Sequence, residues 1–126
     1  MFETSSNEST QNSKRYDLED RTLAFAKRVR GFVKSLPNSL ANIEDGKQVV
    51  RSSGSVGANY IEANESLSKK DFALRIKICR KEAKETAYWL KLLEVTDEHT
   101  EKEQKDLVQE ATELMKIFGA ILQKTK

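Results

Sequence analysis

The chain has 126 residues, of which 37% are apolar and 33% are charged, and it contains one proline, five glycines and one cysteine. This composition favours helices over sheets, and the length allows one domain with a core. No apolar stretch could span a membrane, and neither an export signal nor a cysteine pair is visible, so we expect a cytoplasmic protein. The formal net charge of +2 excludes neither acidic nor basic partners.

The first predicted helix follows a polar segment. Residues 1–15 are rich in Ser, Thr and Asn and lack periodicity, which predicts a disordered tail ahead of a helical domain over residues 16–126. Asp17 can cap a helix that begins near Leu18, and Pro37 should end it. Its apolar residues recur at helical spacing: Leu18, Thr22, Phe25, Val29, Phe32, Val33 and Leu36.

The second predicted helix carries two apolar stripes. Ser39 is its natural cap, and it runs from about Leu40 to Asn64. One stripe is Ile43, Val50, Gly54, Gly57 and Ile61; the other is Val49, Ser53, Val56 and Tyr60. Glycine weakens an isolated helix, so the glycines indicate close approach of another backbone. A break near residues 52–55 is the alternative, and one continuous helix is favoured.

Capping boxes predict the starts of two further helices. Ser68 with Asp71 begins the third helix, which runs to about Val95, and Thr100 with Glu103 begins the fourth. The third helix has two apolar stripes on nearly opposite sides. The core stripe consists of Phe72, Ile76, Cys79, Ala83, Ala87, Leu90 and Leu93. The opposite stripe consists of Leu74, Ile78, Glu85, Trp89 and Leu92. The fourth has one apolar stripe: Leu107, Ala111, Leu114, Phe118 and Ile121. Four such helices with short connections predict an all-α, up-down-up-down four-helix bundle.

No residue pattern predicts catalysis, a metal site or a cofactor. His99 is the only histidine and reads as a surface residue, while Cys79 lies on a core stripe without a histidine to act as its base. A di-metal bundle site would need Glu-x-x-His, which is missing from the sequence. Glu82 and Glu85 are expected to pair with Arg51, Lys81 or a neighbouring subunit. We therefore do not expect an enzyme.

The second apolar stripes predict self-association, because soluble monomers rarely expose apolar patches beyond a few hundred Å². We expect a cyclic homo-oligomer with heterologous contacts. The predicted subunit interface consists of Val49, Val56, Tyr60, Leu74, Ile78, Glu85, Trp89 and Leu92.

Several short motifs together resemble a known bacterial family. They are Arg51-Ser52, the run from Ser55 to Asn59, Glu62-Ala63, the run from Ser68 to Phe72, and Glu82-Ala83-x-Glu85-Thr86-x-x-Trp89-Leu90. This ordered set resembles the four-helix-bundle proteins encoded in intervening sequences of large-subunit ribosomal RNA genes, relatives of the accessory protein of diversity-generating retroelements. The resemblance covers about Tyr16 to Leu122. It implies a ring-shaped homopentamer without enzymatic activity and, from the retroelement relative, nucleic-acid binding.

The distribution of charge leaves two functions open. Basic residues outnumber acidic ones by seven to three over residues 14–36 and by eight to four over residues 67–96, whereas the last 30 residues have seven acidic and five basic residues. The first function is sequence-independent binding of RNA or DNA, and the alternative is an assembly scaffold or adaptor ring that binds a protein partner. The nucleic-acid-binding candidates are Lys27, Arg28, Arg30, Lys34, Arg75, Lys77, Arg80, Lys81 and Lys84.

Overall fold

The computed structural model describes the backbone of residues 6–126 and the side chains of residues 18–126. It contains four helices: α1 (Ser6–Lys34), α2 (Leu40–Asn64), α3 (Lys69–Leu92) and α4 (Glu98–Lys124). Each helix packs against the next, and α1 also packs against α4, which closes an up-down-up-down bundle. The predicted fold class is confirmed. No helix in the described part of the chain is long and apolar enough to cross a membrane.

Side-chain caps begin α2, α3 and α4. Ser39 and Ser68 accept hydrogen bonds from the backbone N–H groups of Asn42 and Asp71, at 3.1 and 3.0 Å, as the sequence predicted. The start of α4 differs. Asp97 is its N-cap and accepts a hydrogen bond from the Thr100 N–H at 2.8 Å. The first residue of α4 is therefore Glu98, which directly follows this cap and lies before the predicted cap at Thr100. The predicted capping box of Thr100 and Glu103 is therefore wrong, because Thr100 already lies inside the first turn.

The C-terminus of α1 lies where the sequence predicted it, whereas its N-terminus does not. Its C-terminus lies just before Pro37, as expected. Its N-terminus is at Ser6 rather than near Leu18, and residues 6–17 contain neither proline nor glycine to interrupt the helix. Asp17 therefore does not begin the helix. Residues 1–5 of the predicted tail lie outside the described residues.

One apolar core runs along the bundle. The predicted stripes of α1, α3 and α4 supply most of it, with the largest fully buried side chains coming from Phe25, Phe118, Ile76, Leu90 and Leu107. The Tyr60 ring of α2 packs against the Phe118 ring of α4, with their centroids 5.7 Å apart. Within the described residues, the helices α1 and α3 lie diagonally across the bundle, and their backbones do not approach each other closely.

The orientation of α2 overturns part of the predicted subunit interface. Val49, Val56 and Tyr60 are buried within the single chain, where they fill the core. The stripe that contains Gly54 and Gly57 instead faces α1 and the surface. Both stripes are apolar, and the bulkier one fills the interior while the glycine-bearing one lets α1 approach closely. These three residues are therefore not available to a neighbouring subunit.

Candidate interaction surfaces

Two neighbouring pockets with mainly apolar surfaces lie between α1 and α2, with Arg30 reaching across to α2; we call them together the α1–α2 groove. At one end it is lined by Val33, Leu36, Pro37, Ile43 and Val50, and at the other by Leu23, Ala26, Gly54, Gly57, Ala58 and Ile61. Leu23 and Ile61 are half exposed there. Gly57 shapes the floor, since a Cβ atom at this position would lie 2.8 Å from the Thr22 Oγ1 atom. A groove of this kind can accept apolar side chains from a partner.

A second apolar surface lies on α3; we call it the α3 apolar strip, consisting of Leu74, Ile78, Glu85, Trp89 and Leu92. These are the α3 members of the predicted interface, and the structure places them along one side of the helix. Leu74 is 56% exposed and Leu92 is 43% exposed. Ile78 and Trp89 are half-buried, and Trp89 also packs against the core. This part of the predicted interface is exposed and available to a neighbour.

A polar network around one buried carboxylate lies beside the α3 apolar strip. Glu82 is 7% exposed, and its Oε1 atom accepts no hydrogen bond. Arg51 of α2 lies 3.7 Å from this oxygen and 4.0 Å from a carboxylate oxygen of Glu85. The Lys81 ammonium lies 3.8 Å from the other Glu82 oxygen. The predicted pairing of Glu82 and Glu85 with Arg51 and Lys81 is thus present within one chain.

The same network fixes the register of α2 against α3. The buried Thr86 hydroxyl lies 2.8 Å from the Ser52 hydroxyl and also donates to the Glu82 carbonyl at 2.7 Å. A hydroxyl pair that is satisfied in this way avoids the cost of burying a polar group without a partner. The spacing of these residues along α2 and α3 is the spacing that packing between the two helices requires.

The nine predicted nucleic-acid-binding residues do not form one surface. Those of α1 and those of α3 lie on diagonally opposed helices. Several also have internal partners. Arg30 donates to the Ala26 and Val50 carbonyls, and Arg75 donates to the Asn59 side chain at 2.9 Å. Arg28 lies 4.0 Å from a Glu103 carboxylate oxygen.

The remaining candidates on α3 belong to a longer row that sequence reasoning did not identify as a unit. We call it the α3 basic strip: Lys77, Lys81, Lys84, Tyr88 and Lys91. All five are exposed, and they follow one another at intervals of four, three, four and three residues, which places them on one side of a helix. Arg80 lies beside this row, over Gly119 of α4. Lys91 was missed because charge counted by segment does not show which residues share a helix face.

The α3 basic strip is poorly neutralised. Among the described residues, no carboxylate lies within 4 Å of the cationic group of Lys77, Lys84 or Lys91, while Lys81 has Glu82. Like charges three or four residues apart on a helix repel each other, by about 0.2–0.5 kcal/mol per pair. The free bundle bears this cost, and an anionic partner would remove it.

The acidic residues of α4 are largely directed away from this strip. Arg21 of α1 makes a two-pronged ion pair with Glu110, at 2.7 and 2.9 Å, and also donates to Glu113 at 2.8 Å. Hydrogen bonds from Gln109 and then Arg21 lower the pKa of Glu113. Hydrogen bonding to Glu110 raises the pKa of Arg21 further. These carboxylates thus hold α1 against α4, on the side of α4 opposite to α3.

The described residues contain no cluster of His, Cys, Asp and Glu that could hold a metal ion. Cys79 is buried, and burial raises the pKa of its thiol to about 12, which keeps it protonated and unreactive at neutral pH. His99 is exposed in the first turn of α4.

Comparison with known proteins identifies a family and a similar solved structure. A family model described as 23S rRNA-intervening sequence protein matches residues 14–120. The chain is also similar to a solved protein of unknown function from the S23 ribosomal protein family of Bacteroides thetaiotaomicron VPI-5482. The two share 34% identity with a TM-score of 0.76, over 87% of this chain and 98% of that one. No curated protein matches the chain.

Proposed function

The chain belongs to the 23S rRNA-intervening sequence protein family, and we propose that it is a non-enzymatic ring protein that binds nucleic acid through phosphates. The observation that carries this proposal is the α3 basic strip, whose lysines are exposed and mostly without acidic partners. Lysines in a row can pair with several phosphates of a nucleic-acid backbone, and such contacts carry no direct sequence information. The proposed compartment is the cytoplasm.

Self-association is the second part of the proposal. The α1–α2 groove and the α3 apolar strip are two different apolar surfaces, and they lie on different sides of the bundle. Two unlike surfaces on one chain favour heterologous contacts, which close into a ring. We propose five copies, the number that the family resemblance implies. The ring would repeat the α3 basic strip around its axis, so that a modest charge on each subunit becomes a strong site.

The test combines light scattering with a binding titration. The wild-type chain should elute as an oligomer at micromolar concentration and should bind a labelled 20-nucleotide RNA or DNA in fluorescence anisotropy. Affinity should fall steeply with salt, because each phosphate contact releases a counterion. Replacing both Lys77 and Lys84 with Glu should abolish binding without dissociating the oligomer.

The matched control is the replacement of Lys102 and Lys105 with Glu, since both lysines lie on α4 beside acidic partners. This charge change is the same, but binding should be reduced far less. Absence of binding at tens of micromolar protein in low salt would reject the nucleic-acid proposal.

A second candidate function rests on the α1–α2 groove. If the groove is not covered by another copy, it offers an apolar surface of the kind that binds a protein partner. The chain would then act as an assembly scaffold or adaptor. A monomer in light scattering combined with no binding to nucleic acid would favour this function over the first.

A further inference from the structure

We propose that the α3 basic strip binds single-stranded nucleic acid in preference to duplex, with one base stacked on the Tyr88 ring. The inference rests on the proposed function, since it specifies the form of nucleic acid bound and adds a residue that phosphate contacts alone do not require.

The position of Tyr88 is the first observation. It occupies the fourth of five places in the α3 basic strip, between Lys84 and Lys91. At 1.5 Å of rise per residue, the row from Lys77 to Lys91 extends over about 21 Å. An aromatic ring therefore stands within a line of ammonium groups, at the border of the α3 apolar strip.

The exposure and support of the ring are the second observation. Tyr88 is 56% exposed, although an aromatic side chain gains most by burial. Its ring stands edge-on to the Trp89 ring, at a centroid distance of 5.2 Å and an interplanar angle of 72°. Because Trp89 also packs against the core, it supports Tyr88 from one side. The phenol makes no hydrogen bond within the described part of the chain, so the ring presents a free, oriented face.

The surrounding charges indicate which partner covers this face. A protein surface that covered Tyr88 would also cover Lys84 and Lys91, and burying unpaired ammonium groups is costly. A single strand avoids this cost, because its phosphates pair with the lysines while an unstacked base covers the ring. A base that stacks on an aromatic side chain contributes about 1–3 kcal/mol. In a duplex, the bases of every internal base pair are already stacked on both faces. The Tyr88 ring therefore cannot stack on them.

The distinction between Tyr88 and the α3 apolar strip is geometric. Successive residues on a helix are separated by about 100° around its axis, so Tyr88 and Trp89 point to different sides. Trp89 lies with Leu74, Ile78 and Leu92, whereas Tyr88 lies with the lysines. A subunit contact through the α3 apolar strip therefore leaves Tyr88 accessible at its border.

The experiment measures affinity for a labelled 12-nucleotide single strand of mixed sequence and for the corresponding 12-base-pair duplex. Tyr88→Ala should weaken single-strand binding by about 5- to 150-fold, which is the stacking energy expressed as a ratio. Tyr88→Phe is the matched control, and it should bind the single strand within about twofold of wild type because it keeps the ring. Duplex affinity should be the same for all three proteins. Trp89 is the only tryptophan, so its fluorescence should change on single-strand binding.

Four outcomes would overturn the inference, and they can be told apart. Equal affinity of Tyr88→Ala and wild type for the single strand would reject stacking but leave the proposed function intact. Dissociation of the oligomer by Tyr88→Ala, seen in light scattering, would show that Tyr88 is a subunit contact instead. Absence of binding to both oligonucleotides would reject the inference together with the proposed function. Poly-glutamate that competes as well as the single strand would assign the strip to acidic proteins.

Discussion

At the scale of single residues, Asp97 shows how a side chain fixes a helix start and makes it depend on pH. Its carboxylate accepts the Thr100 N–H at 2.8 Å, and this hydrogen bond is the main cause that lowers the pKa of Asp97. A lowered pKa in the folded state means that the ionised cap stabilises the fold above the pKa of the unfolded chain. That contribution is lost as the pH falls through the folded-state pKa.

We therefore expect the free energy of unfolding to fall less between about pH 5 and pH 3 in Asp97→Asn than in wild type, because asparagine also caps a helix but does not ionise. Urea unfolding at both pH values measures the difference. Asp97→Ala is the comparison, since it should be less stable than wild type at pH 7 as well. Equal losses on acidification in wild type and Asp97→Asn would contradict the assigned cap.

Residue patterns predicted helix caps well where the cap was isolated, and poorly where several candidates were adjacent. Ser39 and Ser68 each follow a helix end and were identified correctly. Near the start of α4, both Asp97 and Thr100 precede an apolar run, and only the backbone conformation decides between them. Asp97 is extended, with φ −142° and ψ 166°, while Thr100 is helical.

At the scale of elements, α2 is the helix whose sequence left most undecided. Its continuity was predicted and is confirmed, since α2 runs unbroken through both glycines. Its orientation was not predictable, because both stripes are apolar and the helical periodicity of the sequence does not say which stripe faces inward. The choice depends on the neighbours: Tyr60 meets Phe118 across the core, and Gly57 meets Thr22 of α1. Such contacts between helices are absent from any single-helix pattern.

The close approach of α1 and α2 leads to a prediction for Gly57. In Gly57→Ala the new Cβ atom would lie 2.8 Å from the Thr22 Oγ1 atom, which cannot easily move because it bonds the Leu18 and Glu19 carbonyls. Overpacking of this kind costs about 1–3 kcal/mol, and it should outweigh the helix-propensity gain of about 1 kcal/mol. Gly57→Ala should therefore lower the free energy of unfolding in urea.

Gly31 supplies the matched control for this substitution. It lies on the exposed side of α1, and a Cβ atom there would have no neighbour within 4 Å. Gly31→Ala should thus stabilise the protein by up to about 1 kcal/mol through propensity alone. Stabilisation by both substitutions would show that α1 and α2 are not held as closely as the structure places them.

At the scale of the whole molecule, the diagonal arrangement of α1 and α3 decides which surfaces can act together. It separates the two basic segments that the sequence suggested as one site, and it leaves the α3 basic strip as the coherent one. The candidate site was thus predictable in part: Lys77, Lys81 and Lys84 were among the predicted residues, whereas the predicted α1 residues lie on a diagonally opposed helix. The net charge of a sequence segment does not show that the two basic helices lie diagonally across the bundle from each other.

The same arrangement separates the two apolar surfaces, and this allows the ring contact to be tested by mixing variants. Leu74→Glu changes the α3 apolar strip, and Ile61→Glu changes the α1–α2 groove. Both side chains are at least half exposed in the single chain, at 56% and 50%, so both variants should fold. Each should dissociate the proposed ring, because a carboxylate buried in an apolar contact is costly. Alone, each variant should scatter light as a monomer of 14.4 kDa.

A heterologous contact joins the groove of one copy to the strip of the next. An equimolar mixture of the two variants should therefore form heterodimers and nothing larger, because the intact groove of Leu74→Glu can accept only the intact strip of Ile61→Glu. The other two surfaces of the heterodimer, the strip of Leu74→Glu and the groove of Ile61→Glu, each carry a glutamate and cannot bind a further copy. If each surface instead paired with its own copy, either variant alone would form homodimers through its unchanged surface. Light scattering of the mixture and of the separate variants distinguishes the two arrangements, and homodimers of either variant alone would reject the ring contact proposed here.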